Sequence, residues 1–522
     1  MQDVDESIRV PDDKNDCIVP YELLISTSEL NDDSLVMGTG EEQPSQVLMN
    51  FLIMSTLFSA NHGAMVSCLA FSTLQLGSTG AWELSILHFV YAASTLLGAT
   101  FVVKHLGARN SMAMGMALYA SYVLCFWLAL QWQVLRNELA VVGAIMGGIG
   151  GGFVWTAQGS YFSEAAKDYA RTCVDKSSEE ATSFLAGVFA CIYLFGEVVC
   201  KLLSWAVLEW KHSTWTNVIG VYTIVAVAST VLMSWVHNYP VDTPQRDISM
   251  TYKVTSALQL LIQNPKMKFL IGVNAVFGLA YPFVNSFVNG EVVQQVMTND
   301  PNLHVVGLFS ALSAGIAAIC SLLFGRLSKH KGPVLIFGAF SFAMVSTLFL
   351  IQPDLSKWGW VRLVLVYTFQ GIGRSTFEGA LRAVFADYFF DEKEGAFANI
   401  ILQNGFFTSL GFYLSFNVPC ERKSNFCVAF KEGGLHNVLV LEVAVVISAV
   451  LAVLGYWRAS SLFKIECLRL EVSTEIINPL LETAQFNDPT EEVRVPQTLP
   501  IQQRISRCNL LLQDDDLGTT SL

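Results

Sequence analysis

Segments of about 20 largely apolar residues, the length that carries an α-helix across a bilayer, recur twelve times along this chain. They lie near Val47–Phe71, Leu84–Val103, Ser111–Gln131, Glu138–Gln158, Ser183–Trp210, Trp215–Val236, Phe269–Val296, His304–Leu327, Pro333–Gln352, Trp358–Ala383, Ala396–Phe416 and Val438–Trp457. Of the 522 residues 52% are hydrophobic and only 14% charged, too apolar a balance for a soluble protein of this size. The expected fold is therefore an all-α membrane protein of twelve transmembrane helices, with the lipid bilayer as its first partner. No phosphate-cradling lysine loop, HExxH or GxSxG occurs, and the basic residues form no stripe interleaved with aromatics, so neither an enzyme nor a nucleic-acid-binding protein is expected.

A polar linker, 237–268, carries Pro240, Pro244 and Pro265 and divides the spans into bundles at 46–236 and 269–457. The net charge of −13 is concentrated in the tails, 1–45 and 458–522, which read as solvated, disordered cytoplasmic segments. With both termini cytoplasmic, the inner loops collect Lys104, Arg109, Lys167, Arg171, Lys253, Arg326, Lys329 and Lys331, outnumbering the basic residues outside, as the positive-inside rule requires. That orientation puts Cys420 and Cys427, which share one polar loop, outside, where a disulfide is expected. The other cysteines have no metal-ligand spacing, and neither a metal nor a cofactor is implied. Tyr21-Glu22-Leu23-Leu24 and Asn478-Pro479-Leu480-Leu481 are short matches to sorting signals, and leave the plasma membrane and the endolysosomal membrane both open.

The fourth span ends in GGIGGGFVWTAQGSY, with Gly147, Gly148, Gly150, Gly151 and Gly152 ahead of Trp155, Gln158, Gly159 and Tyr161. Such a run costs a water-soluble helix about 1 kcal/mol per glycine, but in a bilayer it lets neighbouring backbones approach closely. An echo, Gly371-Ile372-Gly373-Arg374, occurs in the tenth span, 223 residues after Gly148. Lys104-His105-Leu106-Gly107, ahead of Arg109, is echoed by Lys329-His330-Lys331-Gly332 at an offset of 225 residues. Two near-equal offsets at equivalent helices predict a six-plus-six duplication. Parallel six-helix halves are the plan of the major facilitator superfamily.

Ionisable residues inside spans are costly, at least about 2.5 to 3.5 kcal/mol at mid-bilayer, and normally face a cavity or a partner. Glu197 has Lys201 at i+4 in the fifth span, and Arg374, Glu378 and Arg382 form an i, i+4, i+8 stripe on the tenth. Two readings are open: these groups neutralise one another locally, or they line a cavity that takes an anionic or zwitterionic solute or a proton. His62, beside Asn61 in the first span, is either a proton relay or an interhelix contact. Asn285 and Asn289 share a face of the seventh span below Pro282, whose missing N–H frees the Gly278 carbonyl.

GGIGGGFVWTAQGSYFSE resembles the fourth-helix signature of the ion-channel regulatory protein family, the uncoordinated protein ninety-three family. NPKMKFLIGVNAVFGLAYPFVNSFVNGE, GIGRSTFEGALRAVF and EKEGAFANIILQNGFFTSLGF are similar to later segments of it, in order. The resemblance implies a facilitator fold and an accessory protein that regulates a channel or escorts a receptor; the fold alone equally suits a carrier of a small solute. Where that family often has an acid after the tenth-helix Gly-x-Gly, this chain has Arg374, so no ion-coupling role of that acid carries over.

Overall fold

The computed structural model describes residues 44–172, 178–210, 212–239, 250–300, 303–326, 331–389, 392–421, 426–430 and 434–487. Residues 1–43 of the tail expected at 1–45, with Tyr21 to Leu24, and the stretch 488–522 lie outside the described residues.

Six helices form the first half: α1 (Pro44–Leu76), α2 (Ser78–Leu97), α3 (Ala99–Gln131), α4 (Arg136–Thr172), α5 (Ser178–Leu208) and α6 (Trp215–Met233). A helix outside the spans, α7 (Met250–Gln263), precedes the second half. There α8 (Pro265–Pro282) continues as a π-helix over Phe283–Val292 and closes as α9 (Val293–Val296), one crossing in three parts. It is followed by α10 (Val305–Arg326), α11 (Lys331–Ile351), α12 (Trp360–Thr376) with a π-helical turn over Phe377–Leu381 and α13 (Arg382–Tyr388), then α14 (Lys393–Asn417) and α15 (Leu439–Asn487). Nine helical segments among the described residues are long and apolar enough to span a membrane by themselves. The other three crossings, α2, α12 to α13 and α14, carry more polar residues and are held by neighbours on both sides. Chain direction alternates from span to span, so the molecule has a Pro44 face and a Leu76 face.

The duplication is visible in the packing. In the first half α1 packs on α5 and α6, α3 on α6, and α4 on α2 and α3; in the second, α8 packs on α14 and α15, α11 on α15, and α12 on α10 and α11. The halves meet through α2 against α14 and α5 against α10, again a symmetric pair, and through α1 against the π-helix.

The glycines make these contacts possible. A Cβ on Gly148 would lie 2.6 Å from the Leu87 carbonyl oxygen of α2, and one on Gly371 would lie 2.5 Å from that of Ser313 on α10. Two residues on, a Cβ on Gly150 would lie 2.8 Å from the Gly115 carbonyl oxygen of α3, and one on Gly373 would lie 2.6 Å from Phe342 of α11. Each echo thus seats the same helix on the same two neighbours. Because the obstacle at Gly148 and Gly371 is backbone, Gly148→Ala and Gly371→Ala are each expected to cost about 1–3 kcal/mol through overpacking. Gly159→Ala, with nothing within 4 Å of the added atom, is the control; thermal unfolding of the three proteins in detergent gives the comparison.

Several boundaries differ from the sequence reading. The basic segment expected as a loop at Lys104 to Arg109 is helical except at Gly107, whose φ of 79° reverses the chain; the Ser111 hydroxyl donates to the Val102 carbonyl (3.1 Å) across that turn. Only a residue without Cβ adopts this backbone cheaply. Lys104 is exposed, and Arg109 donates to the Val236 carbonyl (3.2 Å), tying the turn to the end of α6. In the second half Arg326 ends α10, Lys329 lies outside the described residues, and Gly332 belongs to the first turn of α11, pressed against the Tyr456 hydroxyl of α15.

The last helix continues well past Trp457, to Asn487, so the tail expected from 458 begins as helix. Its extension is anchored by packing: Phe463 and Cys467 are buried, Phe463 stacks on Tyr388 at 4.5 Å, and Lys266 donates to Glu466 (2.5 Å) and to the Tyr388 carbonyl (2.8 Å). Between α14 and α15 a short antiparallel pair, β1 (Cys427–Phe430) and β2 (Gly434–Asn437), sits on the Leu76 face. Cys420 and Cys427 are joined by a disulfide there.

Candidate functional site

The three intramembrane charges at Glu197, Lys201 and Arg374 converge at the centre of the molecule. Glu197, fully buried on α5, accepts from both terminal nitrogens of Arg374 on α12, Oε1 from Nη1 and Oε2 from Nη2, each at 2.6 Å. This two-pronged geometry is the strongest arrangement available to a guanidinium and a carboxylate. Lys201, one turn along α5, donates to the same Oε1 at 2.6 Å. The side chains of Lys201 and Arg374 are only 7% and 11% exposed, so two cations and one carboxylate share a nearly dry site. Glu197 and Arg374 belong to opposite halves, 177 residues apart, and their bond clamps the halves together.

An aromatic cluster adjoins the clamp. Arg374 Nη2 also donates to the Tyr193 hydroxyl (3.3 Å), which lies 3.4 Å from His62 Nε2. The His62 ring is packed among Phe58, Tyr119, Trp155 and Tyr193 at centroid distances of 5.2–5.8 Å, and Phe189 stacks on Tyr193. His62 Nδ1 is buried without a hydrogen-bond partner among the described residues. Trp155, the aromatic of the glycine-rich motif, is contacted from the other half by Arg382, whose guanidinium carbon is 5.9 Å from the ring centroid, within cation–π range.

Other expected site residues are placed elsewhere. Asn285 and Asn289 form a second junction between halves, near the Leu76 face: Thr73 of α1 donates to the Asn285 carbonyl (2.5 Å), and Asn289 donates to the Ala70 carbonyl (2.9 Å). Tyr367 of α12 donates to the Asn289 side-chain oxygen. After Pro282, whose missing N–H interrupts the helix, the chain runs as a ten-residue π-helix that carries both asparagines. Gln158 is buried on α4 and takes no part in the described hydrogen bonds of the cluster. Gly159 is exposed, whereas Tyr161 is fully buried against Tyr239. On the tenth span Phe377–Leu381 is π-helical, which shifts Arg382 relative to Arg374 from the α-helical register. Glu378's side chain lies outside the described ones, and the carboxylate described on Arg374 is Glu197.

Sequence reasoning missed Tyr193, although it stands one turn before Glu197 on the same face. It also missed two buried carboxylates, Glu83 on α2, near Ser72, and Glu442 in the first turn of α15. Their signal, an acid in an apolar run, was present in both segments.

Two parallel six-helix halves, a buried charged centre between them and a symmetric set of interhelix contacts define the major facilitator class of membrane proteins. The same architecture is found in the nucleoside transporter NupG (TM-score 0.57, 15% identity, covering 80% of this chain and 100% of that one) and the xylose transporter XylE from E. coli (TM-score 0.54, 15% identity, 80% and 97%). Within that class, the model of the family described as Ion channel regulatory protein UNC-93 matches residues 77–356, and the chain belongs to this family. It is 22% identical over 408 residues to Protein unc-93 homolog A of Xenopus laevis, covering 70% of this chain and 84% of that protein. To UNC93-like protein 3 of Arabidopsis thaliana it is 22% identical over 356 residues, covering 64% and 73%.

Proposed function

We propose that this multi-pass membrane protein is a carrier that moves a small solute by alternating access, its bundles at 46–236 and 269–457 rocking about the Glu197–Arg374 clamp with 237–268 as the connection between them. The observation that carries this reading is the clamp itself. A buried two-pronged ion pair between the two halves costs desolvation and is weak evidence of a purely stabilising role, whereas a pair that parts and re-forms suits a rocking machine. Excess basic residues on the Pro44 face support cytoplasmic termini, in either the plasma membrane or an endolysosomal membrane. Reconstitution into liposomes with a broad solute panel and a proton-gradient control tests the carrier. Uptake of at least one solute by the wild type, lost in a folded Arg374→Gln variant, is expected; no uptake of any solute by folded protein rejects it.

The family match favours a second reading, an accessory protein that regulates a channel or escorts a receptor. It predicts a membrane-protein partner recovered in detergent pull-down whose recovery changes in the Arg374 variant, with no solute flux.

A further inference from the structure

The seam between α5 and α10, where the halves meet, runs from the Glu197 clamp toward the Leu76 face. It is tight: a Cβ on Gly307, in the first turn of α10, would lie 3.0 Å from the Lys201 carbonyl oxygen and would collide with the Ser204 hydroxyl. At the outer end of this seam stands a histidine. His304 Nδ1 lies 2.7 Å from Asp300 Oδ1 on its own half, and its Nε2 lies 3.4 Å from Oε1 of Glu209, the residue that follows α5 on the other half. Asp300 is a fixed mount. Its second oxygen, Oδ2, accepts from the Val305 N–H (3.1 Å) at the start of α10, and its side chain is only 9% exposed.

A ring held between carboxylates of opposite halves has two electrical states. As imidazolium it is a cation between two anions and draws Glu209 toward Asp300 across the seam. As neutral imidazole it has one N–H for two acceptors, and the two carboxylates face each other across an uncharged ring. Among the described residues no other charge lies within ion-pair distance of this ring. Lys201, the next cation down α5, is two turns deeper and held by Glu197. Lys357 and Asp354, in the turn packed on α9, pair with each other. His212, in the turn after α5, is exposed, and Lys211 lies outside the described residues. The His304 side chain is itself 28% exposed, so it exchanges protons with the solvent on that face.

We infer that His304 is a proton-operated latch, which holds the halves together at the Leu76 face when charged and releases them there when neutral. Imidazole is the side chain whose charge changes between about pH 5 and 8. The closed state is therefore favoured in acid and weakened as the pH rises. In the proposed orientation the latch faces the outside or an organelle lumen, and an acidified lumen keeps that side shut. The inference rests on the rocking halves of the carrier reading, but its test measures conformation alone.

Spin labels at Val134 and Val361, exposed on opposite halves at the Leu76 face, report the separation in full-length protein in nanodiscs at about pH 5.5 and about pH 8. The measurement is made in the wild type and in Arg374→Gln, where the cut clamp enlarges the open population. The longer-distance population is expected to grow about threefold from the lower pH to the higher, in keeping with a partly exposed ion pair. His304→Gln, at the solvent edge, is expected to fold normally and to show the longer population at both pH values. His304→Lys, a cation at both, is expected to keep the closed distance throughout. A population independent of pH in both the wild type and Arg374→Gln, a pH response that survives in His304→Gln, or a His304→Lys protein as open as His304→Gln overturns the inference. A pH response of this kind without uptake of any solute removes the carrier reading and leaves the latch standing; uptake with no pH response does the reverse.

Discussion

Replacing Glu197 with glutamine is expected to destabilise the protein by about 3–5 kcal/mol, the cost of leaving a buried charge without its partner. Here two cations lose the carboxylate they share, since Lys201 and Arg374 both donate to Glu197 and both are largely buried. The glutamine amide can still accept hydrogen bonds, but it cannot offset two like charges facing each other in a medium of low dielectric. Arg374→Gln is expected to cost distinctly less, because the Glu197–Lys201 pair that remains is neutral and local to one helix. Substituting leucine at all three positions is expected to recover most of the loss, as buried ionic clusters generally tolerate apolar replacement. Chemical unfolding in mixed micelles gives the ranking. Equal losses for Glu197→Gln and Arg374→Gln would show that the two cations do not depend on the shared carboxylate.

How much of this was legible in the sequence depends on range. Periodicity and hydropathy are local, so the spans, the break near 237–268 and the Gly148/Gly371 equivalence could be read directly; the glycines could be matched because they do the same packing job twice. Glu197 and Lys201 could be paired because they are one turn apart. The Arg374 bond to Glu197 could not, since it joins residues 177 positions apart whose proximity is set by how two bundles dock. Local spacing suggested Glu378 as a partner of Arg374; the Glu378 side chain lies outside the described ones, and the turn that carries it, Phe377–Leu381, is π-helical. A π-helix leaves little trace in sequence, because it differs from an α-helix by one residue of hydrogen-bond register. Pro282 marked the irregularity in the seventh span but not its length. The extension of α15 was hidden by composition: a polar tail reads as disordered unless Phe463 is recognised as a residue that packs on α13.

The second large effect concerns the junction near the Leu76 face. A Cβ on Gly290, in the π-helix, would lie 3.3 Å from the Thr73 Cβ on α1, close to the roughly 3.5–4.5 Å of a disulfide. Thr73→Cys/Gly290→Cys is therefore expected to oxidise nearly completely in the folded protein. With a protease site placed at 240–249, the cut halves should stay together on a non-reducing gel and separate after reduction. Because the bridge joins segments on opposite halves, it is expected to stabilise the protein by up to about 5 kcal/mol, the loop-entropy limit for long closures, and to offset much of the Glu197→Gln loss. Failure to oxidise in well-folded protein would mean that α1 and the π-helix do not meet as described.

The central claim is that the Glu197–Arg374 clamp ties together two halves that rock about it. The most direct test is a spin-label distance across the Leu76 face, with labels at Val134 and Val361, which are 91% and 74% exposed on opposite halves, in a background where no other cysteine reacts. The wild type should give one dominant distance. Glu197→Gln should add a longer population, and the Thr73–Gly290 disulfide should remove it. An unchanged single distance in folded Glu197→Gln protein would contradict the account.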